Sequence, residues 1–171
     1  MRTRFLVGLV IAAGVCSAAS GGIAYAFATS VVPGLGRVEP RRSIAAMQGI
    51  IDEATTNVFF LLLLVCTSVL AIAVCVISLA RLRTVGSGYL LVGALCAIAA
   101  GIITVVFNVP LNQHLTSLAV DGLSVIDATR EWRDFAEPWT IWNAVRCTVA
   151  LVGAALLAIG LWKRQRANLA A

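Results

Sequence analysis

The chain has 171 residues, of which 60% are hydrophobic and only 12% are charged. About a quarter of the residues of a water-soluble domain are charged, and a domain of this size could not bury so much apolar surface, so the composition excludes a soluble globular protein. The net charge of +5 does not indicate nucleic-acid binding, because the basic residues form neither one patch nor a run interleaved with aromatic side chains.

The first apolar run begins at Phe5, after a short basic start, and carries no charge until Arg37. It is about twice as long as the apolar core of a secretory signal peptide, which has roughly 7–15 residues. We therefore expect a retained transmembrane helix over about 5–29, ended by Pro33 and Gly34.

A connection of mixed charge over 37–53 leads to the second apolar run, 54–80. Only the short turn 81–87 separates this run from the third, 88–107. So short a link predicts that the second and third helices form an antiparallel hairpin.

The longest connection, 108–138, holds five of the eight acidic residues, and the last apolar run follows it over 139–162. A helix needs roughly 20 apolar residues to cross a bilayer, and four runs meet that need. The sequence therefore predicts an all-α protein, an up-and-down bundle of four transmembrane helices that forms a single integral membrane domain over 1–171.

Two apolar stripes near the longest connection predict an amphipathic helix on the outer membrane surface. The stripes consist of Leu111, Leu115 and Leu118, and of Trp132, Phe135, Trp139 and Trp142. Anchoring in the aromatic belt at the membrane interface is the alternative role of the tryptophans.

Small residues four positions apart allow helices to approach closely within a membrane. Ala18 with Gly22 and Ala97 with Gly101 have this spacing. In a chain so rich in alanine and glycine the pattern is a weak indication of helix contacts.

The basic residues at the segment ends predict the orientation. Seven lie at the two termini and in the turn 81–87, with no acidic residue beside them, and five share the two long connections with all eight acidic residues. The positive-inside rule then places both termini in the cytoplasm and the long connections outside. The expected location is the plasma membrane, with the lipid bilayer as the principal partner.

The five cysteines all lie within apolar runs, and no pair has CxxC spacing. We expect them to be small buried hydrophobic residues rather than disulfide or metal ligands. No metal site and no cofactor are predicted, and the sequence favours no particular oligomeric state.

Polar residues gather at the outer end of the third run, in the segment Phe-Asn-Val-Pro-Leu-Asn-Gln-His over 107–114. Pro110 lacks a backbone N–H and is expected to kink or end the helix. Asn108 and Asn112 are four residues apart and share a helix face. Either they cap helix ends, or their amides face a cavity between helices and bind a substrate.

Arg146 lies about two turns inside the last run, and no acidic residue occupies the middle of any helix. A cation at mid-membrane costs at least about 2.5–3.5 kcal/mol, which outward snorkelling would lower. Trp139, Asn143 and Arg146 share one face, which we expect to point into the bundle. Either Arg146 has a polar partner in the second helix, or it binds an anionic, enolate-like group. The candidate partners are Asp52, Glu53 and Asn57.

His114 is the only histidine, so no second imidazole can join it in a metal site. A histidine in a polar loop is usually just solvated. The intrinsic pKa of a histidine nevertheless suits a general base at neutral pH. Haem ligation through His114 alone has no support from any other feature of the sequence.

These segments carry a family resemblance. Asn-Val-Pro-Leu-Asn over 108–112, followed by Trp-Thr-Ile-Trp-Asn-Ala-Val-Arg over 139–146, resembles the anthrone-oxygenase-like family of small four-helix membrane proteins, much of which is a domain of unknown function. The chain departs from the family pattern at Ile51, where a polar Asn is common. The N-terminal half is similar to the family's first loop at Gly22, Tyr25, Pro33 and Ala46-Met47-Gln48.

The resemblance implies an oxygenase, since fungal relatives oxidise anthrones to anthraquinones. Such chemistry needs a base to remove the ring-methylene proton, after which the carbanion reacts with dioxygen. The implied base is His114. The implied phenolate-binding residues are Asn108, Asn112, Asn143 and Arg146, and Trp139 lines the same substrate site.

Two classes of function therefore remain, with a transporter a distant third. One is an oxygenase for a planar hydrophobic small molecule, and the other is a non-catalytic membrane scaffold or accessory protein. A cavity walled by the predicted site residues favours the enzyme. The same residues packed together without a void favour the scaffold.

Overall fold

The computed structural model describes residues 2–169, with side chains from residue 4, and this part of the chain is helical without a β-strand. The helices are α1 Arg2–Ala26, α2 Val32–Leu35, α3 Pro40–Thr56, α4 Val58–Leu79, α5 Ser87–Ile103, α6 Val109–Thr116 and α7 Val125–Leu169. A π-helical turn, Phe27–Val31, joins α1 to α2, and a second one, Thr104–Asn108, joins α5 to α6.

Four helical stretches are long and apolar enough to cross a membrane: Arg4–Leu35, Val58–Leu79, Ser87–Thr116 and Val125–Leu169. They pack in a ring in which α1 contacts α4, α4 contacts α5, α5 contacts α7, and α7 contacts α1. This is an up-and-down four-helix bundle, which confirms the predicted fold class. The start of α1, the α4–α5 turn and the end of α7 form what we call the terminal end, and α3, α6 and the start of α7 form the cap end.

Two of the spans continue further toward the cap end than the sequence predicts, because Pro33 and Pro110 do not end their helices. Each proline lies two residues after a π-helical turn, Phe27–Val31 or Thr104–Asn108. The wider turn removes the clash that a proline ring makes with the preceding helical carbonyl. The first helical stretch therefore continues two residues past Pro33, to Leu35, and the third continues six residues past Pro110, to Thr116.

The last span also begins earlier than expected, since α7 has 45 residues and a length of about 68 Å. The hydrocarbon core is only about 30 Å thick, so the segment before Pro138 extends beyond the apolar span as the same helix. The stripes expected on a surface helix lie instead on α6 and α7. The amphipathic helix at this end is α3, which buries Ile44, Met47 and Ile51 on one face.

An apolar core holds α3 against α6 and α7, the other helices of the cap end. It consists of Val32, Ile44, Met47, Ile51, Leu115, Ala128, Trp132, Phe135 and Trp139. Gln48 fastens the same helix, since its Nε2 donates to the carbonyl oxygens of Leu115 (2.8 Å) and Leu118 (3.1 Å). Leu115 is in the last turn of α6 and Leu118 lies just beyond it, so the Gln48 amide connects α3 to the end of α6.

Helices α5 and α7 make the closest approach in the bundle. A Cβ placed on Gly93 would lie 2.8 Å from the carbonyl oxygen of Gly153, and one on Gly153 would lie 2.9 Å from the oxygen of Gly93. By contrast, Gly22 faces open space and Gly101 meets only a serine hydroxyl at 3.9 Å. The close helix contact therefore runs through Gly93 and Gly153. It includes Ala97 of one predicted pair, whose backbone nitrogen lies 3.4 Å from the Cβ placed on Gly153, whereas Gly22 and Gly101 take no part in it.

A second apolar core fills the terminal end. Its buried members are Leu6, Val10, Ala13, Val74, Cys75, Leu90, Ala94 and Leu157. Between this core and the cap core the bundle encloses two cavities.

Candidate functional site

The two cavities meet at Arg146. The larger one, about 240 Å³, lies toward the cap end and has mainly apolar walls, which include Phe27, Met47, Ile51 and Phe60. The smaller one, about 130 Å³, lies between the four spans and has walls of small and hydroxyl-bearing residues, which include Ser17, Ser20, Thr67 and Ser68. Leu64, Thr104 and Arg146 line both cavities.

The guanidinium of Arg146 is held by two neutral oxygens. Its Nε donates to Oδ1 of Asn143 at 2.7 Å, and its Nη1 donates to Oγ1 of Thr104 at 3.1 Å. Among the residues that the structure describes, no carboxylate lies within 4.0 Å of it. The cation therefore faces the cavities without a counterion.

None of the partners proposed for Arg146 in the second helix bonds to it. Glu53 instead accepts a hydrogen bond from Nδ2 of Asn57 at 2.9 Å, and Asp52 is exposed. Asn57 has a local role instead, because its Oδ1 accepts from the N–H groups of Phe59 and Phe60 and so caps α4. The expectation of an ion pair at Arg146 is wrong.

Asn143 positions the guanidinium of Arg146. It is fully buried, its Oδ1 accepts from Arg146, and its Nδ2 donates to the carbonyl oxygen of Ala24 on α1. Thr104 does the same from the π-helical turn that follows α5, since its hydroxyl donates to the carbonyl of Ala100 at 2.9 Å and accepts from Arg146. Three helices thus set the position of one cation.

Trp139 and Asn112 form a second polar contact in the wall of the larger cavity. Nε1 of Trp139 donates to Oδ1 of Asn112 at 2.8 Å, and both residues line the cavity. The indole ring is buried against Phe27 and Phe135, with ring centroids 6.0 Å away in each case. The hydrogen bond orients the Asn112 amide so that its nitrogen remains available as a donor.

Asn108 lies behind this wall and does not line either cavity. It is buried, and its Nδ2 donates weakly to the carbonyl of Trp139 at 3.4 Å. Its Oδ1 has no hydrogen-bond partner within the described part of the chain. The structure therefore brings four predicted residues together, Asn112, Trp139, Asn143 and Arg146, with Asn108 adjoining them.

His114 is not brought to this cluster. Its side chain is 59% exposed, and its Nε2 lies 2.9 Å from Oε2 of Glu131 on α7. It lines neither cavity. The pair connects α6 to α7 at the surface of the cap end.

The comparison with known families concerns the part of the chain that carries this site. The family model described as anthrone oxygenase matches residues 53–156, which is more than half of the chain and includes all six predicted site residues. The chain belongs to the anthrone oxygenase family. No curated protein and no solved structure matches it.

One residue of this family member's site, Thr104, was not recognised in the sequence. Thr104 holds Arg146, and it lies four residues before Asn108 on a helix, a spacing that could have identified it. Ile51 lines the larger cavity and is only 6% exposed. The position at which the chain departs from the family pattern therefore faces the cavity, where it presents an apolar side chain.

Metal-ligand types do not cluster in this structure. Within residues 2–169, no group of three His, Cys, Asp or Glu side chains is close enough to hold a metal ion. The five cysteines are free thiols. Cys75 and Cys147 are buried as expected, Cys16 and Cys96 are only partly buried, and Cys66 on α4 is exposed. The chemistry that the described side chains offer at the cavities is hydrogen bonding and positive charge.

Proposed function

We propose that this protein oxidises a planar hydrophobic molecule with dioxygen, converting an activated methylene group into a carbonyl. The observation that carries the proposal is Arg146, a guanidinium without a carboxylate partner at the wall of an apolar cavity. A cation is expensive to keep inside a membrane, and its cost is offset when an anion forms beside it.

The reaction balances with the substrate and dioxygen alone. Loss of a methylene proton gives a carbanion whose charge is delocalised onto a ring oxygen. The carbanion bonds to dioxygen, and protonation gives a hydroperoxide. The hydroperoxide loses water, which carries away the second methylene hydrogen, and the carbonyl remains. Arg146 and the amide nitrogen of Asn112 are placed to donate to the oxygen that holds the negative charge.

The dimensions of the larger cavity limit the substrate. Its volume of about 240 Å³ is below the roughly 300–1,000 Å³ of pockets for drug-sized ligands, which favours a compact ring system. Leu61 lines this cavity and is also 41% exposed on α4. We therefore expect the substrate to enter from the lipid side of α4 rather than from water.

The proposed reaction also needs a group that accepts the methylene proton. The described residues that line the two cavities include no Asp, Glu, His, Cys, Lys or Tyr. The implied role of His114 as base is untested, and its position outside both cavities favours a different acceptor. We propose that Arg146 lowers the pKa of the bound substrate and that water accepts the proton. The smaller cavity has room for such waters.

The alternative function is that of a non-catalytic membrane scaffold. It is favoured by the hydrogen bonds of Asn108 and Asn143 to backbone carbonyls, because these contacts hold helices together without any ligand. Under this alternative the cavities would take lipid chains, and removal of Arg146 would change only stability.

The location is also a proposal. The basic residues of the terminal end, which have no acidic residue beside them, support a cytoplasmic position for both termini. We propose that the protein resides in the plasma membrane, with the cap end and its larger cavity on the outer side.

The decisive experiment is oxygen uptake by the detergent-purified protein after addition of a model anthrone. Uptake above the spontaneous rate, lowered about 100- to 1,000-fold by Arg146→Met, would support the proposal. Arg133→Met is the matched control, because Arg133 is exposed and pairs with Asp134. The ultraviolet-visible spectrum and the metal content of the same protein are also recorded. Uptake equal to the spontaneous rate would leave the scaffold as the better interpretation.

A further inference from the structure

The terminal end collects polar side-chain atoms that are buried and unpartnered. Five such atoms occur among the described residues, and three of them are at this end: Oγ of Ser78, Oγ of Ser87 and Nη1 of Arg164. Buried donors and acceptors are nearly always satisfied in folded proteins. A polar group from outside the chain would satisfy these three atoms.

The three residues flank the contact between the α4–α5 turn and α7. Ser78 is in the last turn of α4, and Ser87 is the first residue of α5. Between them, Gly86 has a φ of 84° and packs so closely that a Cβ on it would lie 2.3 Å from the carbonyl oxygen of Gly160. The same Cβ would lie 3.4 Å from the backbone nitrogen of Arg164. Glycine is required here for both its conformation and its size.

Arg164 is the charged member of the group. It is only 9% exposed and forms no ion pair within the described part of the chain. Arg81, in the α4–α5 turn, is near enough for its like charge to act on Arg164. A buried cation beside a second cation, without an ion-pair partner among the described residues, is destabilising unless an anion binds it.

The N-terminus of α5 offers donors at the same place. No side chain caps this helix, and the N–H groups of Gly88 and Tyr89 have no backbone partner in the described residues. Free N–H groups and the helix dipole attract an anion, and phosphate most of all, because its several oxygens can accept from all of them.

We propose that the terminal end binds a phosphate group, at a site formed by Arg164, Ser78, Ser87 and the N-terminus of α5. The guanidinium supplies charge and paired donors, and the hydroxyls and N–H groups bind the remaining oxygens. Two neighbouring contacts combine the basic and aromatic residues that are typical of a membrane interface: Lys163 lies 4.9 Å from the ring centre of Tyr89, and Arg166 lies 4.4 Å from that of Trp162. This position favours the phosphate of an anionic phospholipid over free phosphate.

The test compares ligands and variants by thermal unfolding of the full chain in detergent. Short-chain phosphatidic acid, short-chain diacylglycerol of the same chain length, and inorganic phosphate are added separately. Phosphatidic acid should raise the unfolding temperature of the wild type, whereas diacylglycerol should not. Equal stabilisation by inorganic phosphate would identify free phosphate as the ligand.

Arg164→Gln should weaken the apparent affinity for phosphatidic acid by about tenfold or more, because a charged hydrogen-bond donor is lost. Its unfolding temperature without ligand should equal or exceed that of the wild type, since an unpaired buried charge is removed. Arg166→Gln is the matched control and should respond as the wild type does. Ser87→Ala provides a second variant that keeps the charge and should also weaken binding. Absence of any phosphate-dependent shift, or equal losses for Arg164→Gln and Arg166→Gln, would overturn the proposal.

Discussion

Arg146 and Asn143 lie one turn apart on α7, with Nε of the arginine 2.7 Å from Oδ1 of the asparagine. The acceptor is a neutral amide, so it positions the guanidinium without cancelling its charge. The amide nitrogen of Asn143 is in turn held by the carbonyl of Ala24. The pair is therefore a positioned, uncompensated positive charge, which suits the recognition of an anion.

Replacing the Asn143 amide by a carboxylate tests whether the reaction uses the uncompensated charge of Arg146. Asn143→Asp would place a negative charge beside Arg146, so we expect oxygen uptake with a model anthrone to fall about 100-fold. The new ion pair replaces the lost hydrogen bond, and the protein should remain folded by thermal unfolding. Gln113→Glu makes the same chemical change at an exposed side chain of α6 and should retain full uptake. Retained uptake in Asn143→Asp would show that the charge of Arg146 is not used.

The face of α7 that carries the site was predictable from sequence, but its partners were not. Steps of four and three residues place Trp139, Asn143 and Arg146 on one helix face whatever the rest of the chain does. Their hydrogen-bond partners, Ala24 and Thr104, come from other helices. The spacing of residues within α7 does not identify partners on other helices. The sequence analysis therefore named polar residues near the second helix, two of them acidic.

The cap end shows a second limit of sequence analysis. Pro33 and Pro110 are strong helix-breaking signals, yet the π-helical turns before them let the helices continue. A π-helical turn has no compositional signature of its own. The connection 37–53 was likewise not recognised as helical, because its charged residues obscured the apolar face that α3 buries against α7.

The contact between Trp139 and Asn112 should be measurable as a coupling energy. Trp139→Phe keeps an aromatic ring but removes the Nε1 donor, which should lower the free energy of unfolding by about 1 kcal/mol. Asn112→Ala removes the acceptor. A double-mutant cycle on chemically unfolded protein in micelles should give a coupling of about 0.5–1.5 kcal/mol. A coupling near zero would mean that the hydrogen bond contributes nothing to stability.

The close approach of α5 and α7 predicts strong sensitivity to one methyl group. Gly93→Ala would force a Cβ against the backbone of Gly153, so we expect destabilisation of about 1–3 kcal/mol. Gly22→Ala is the matched control, because Gly22 is also inside a helix and faces open space. Thermal unfolding should show a clear loss for the first variant and an unchanged or higher midpoint for the second. Equal midpoints would contradict the close packing of these helices.

The described residues that line the two cavities include no side chain that accepts a proton at neutral pH, and this predicts how the reaction depends on pH. If Arg146 acts on a substrate that loses its proton to water, the rate should rise about tenfold per pH unit below the pKa of the bound substrate. A more acidic anthrone should move the whole profile to lower pH. A base on the protein would instead keep the midpoint fixed when the substrate is changed.

His114→Ala separates these two cases. The His114–Glu131 pair lies outside both cavities, so this variant should keep the shape of the pH profile and change the rate by less than about threefold, well short of the roughly 100-fold or greater contribution of a general base. Steady-state oxygen uptake over a series of buffers provides the measurement. Loss of the pH dependence in His114→Ala would restore the histidine as the base, and would require the cap end to rearrange so that α6 brings His114 to the larger cavity.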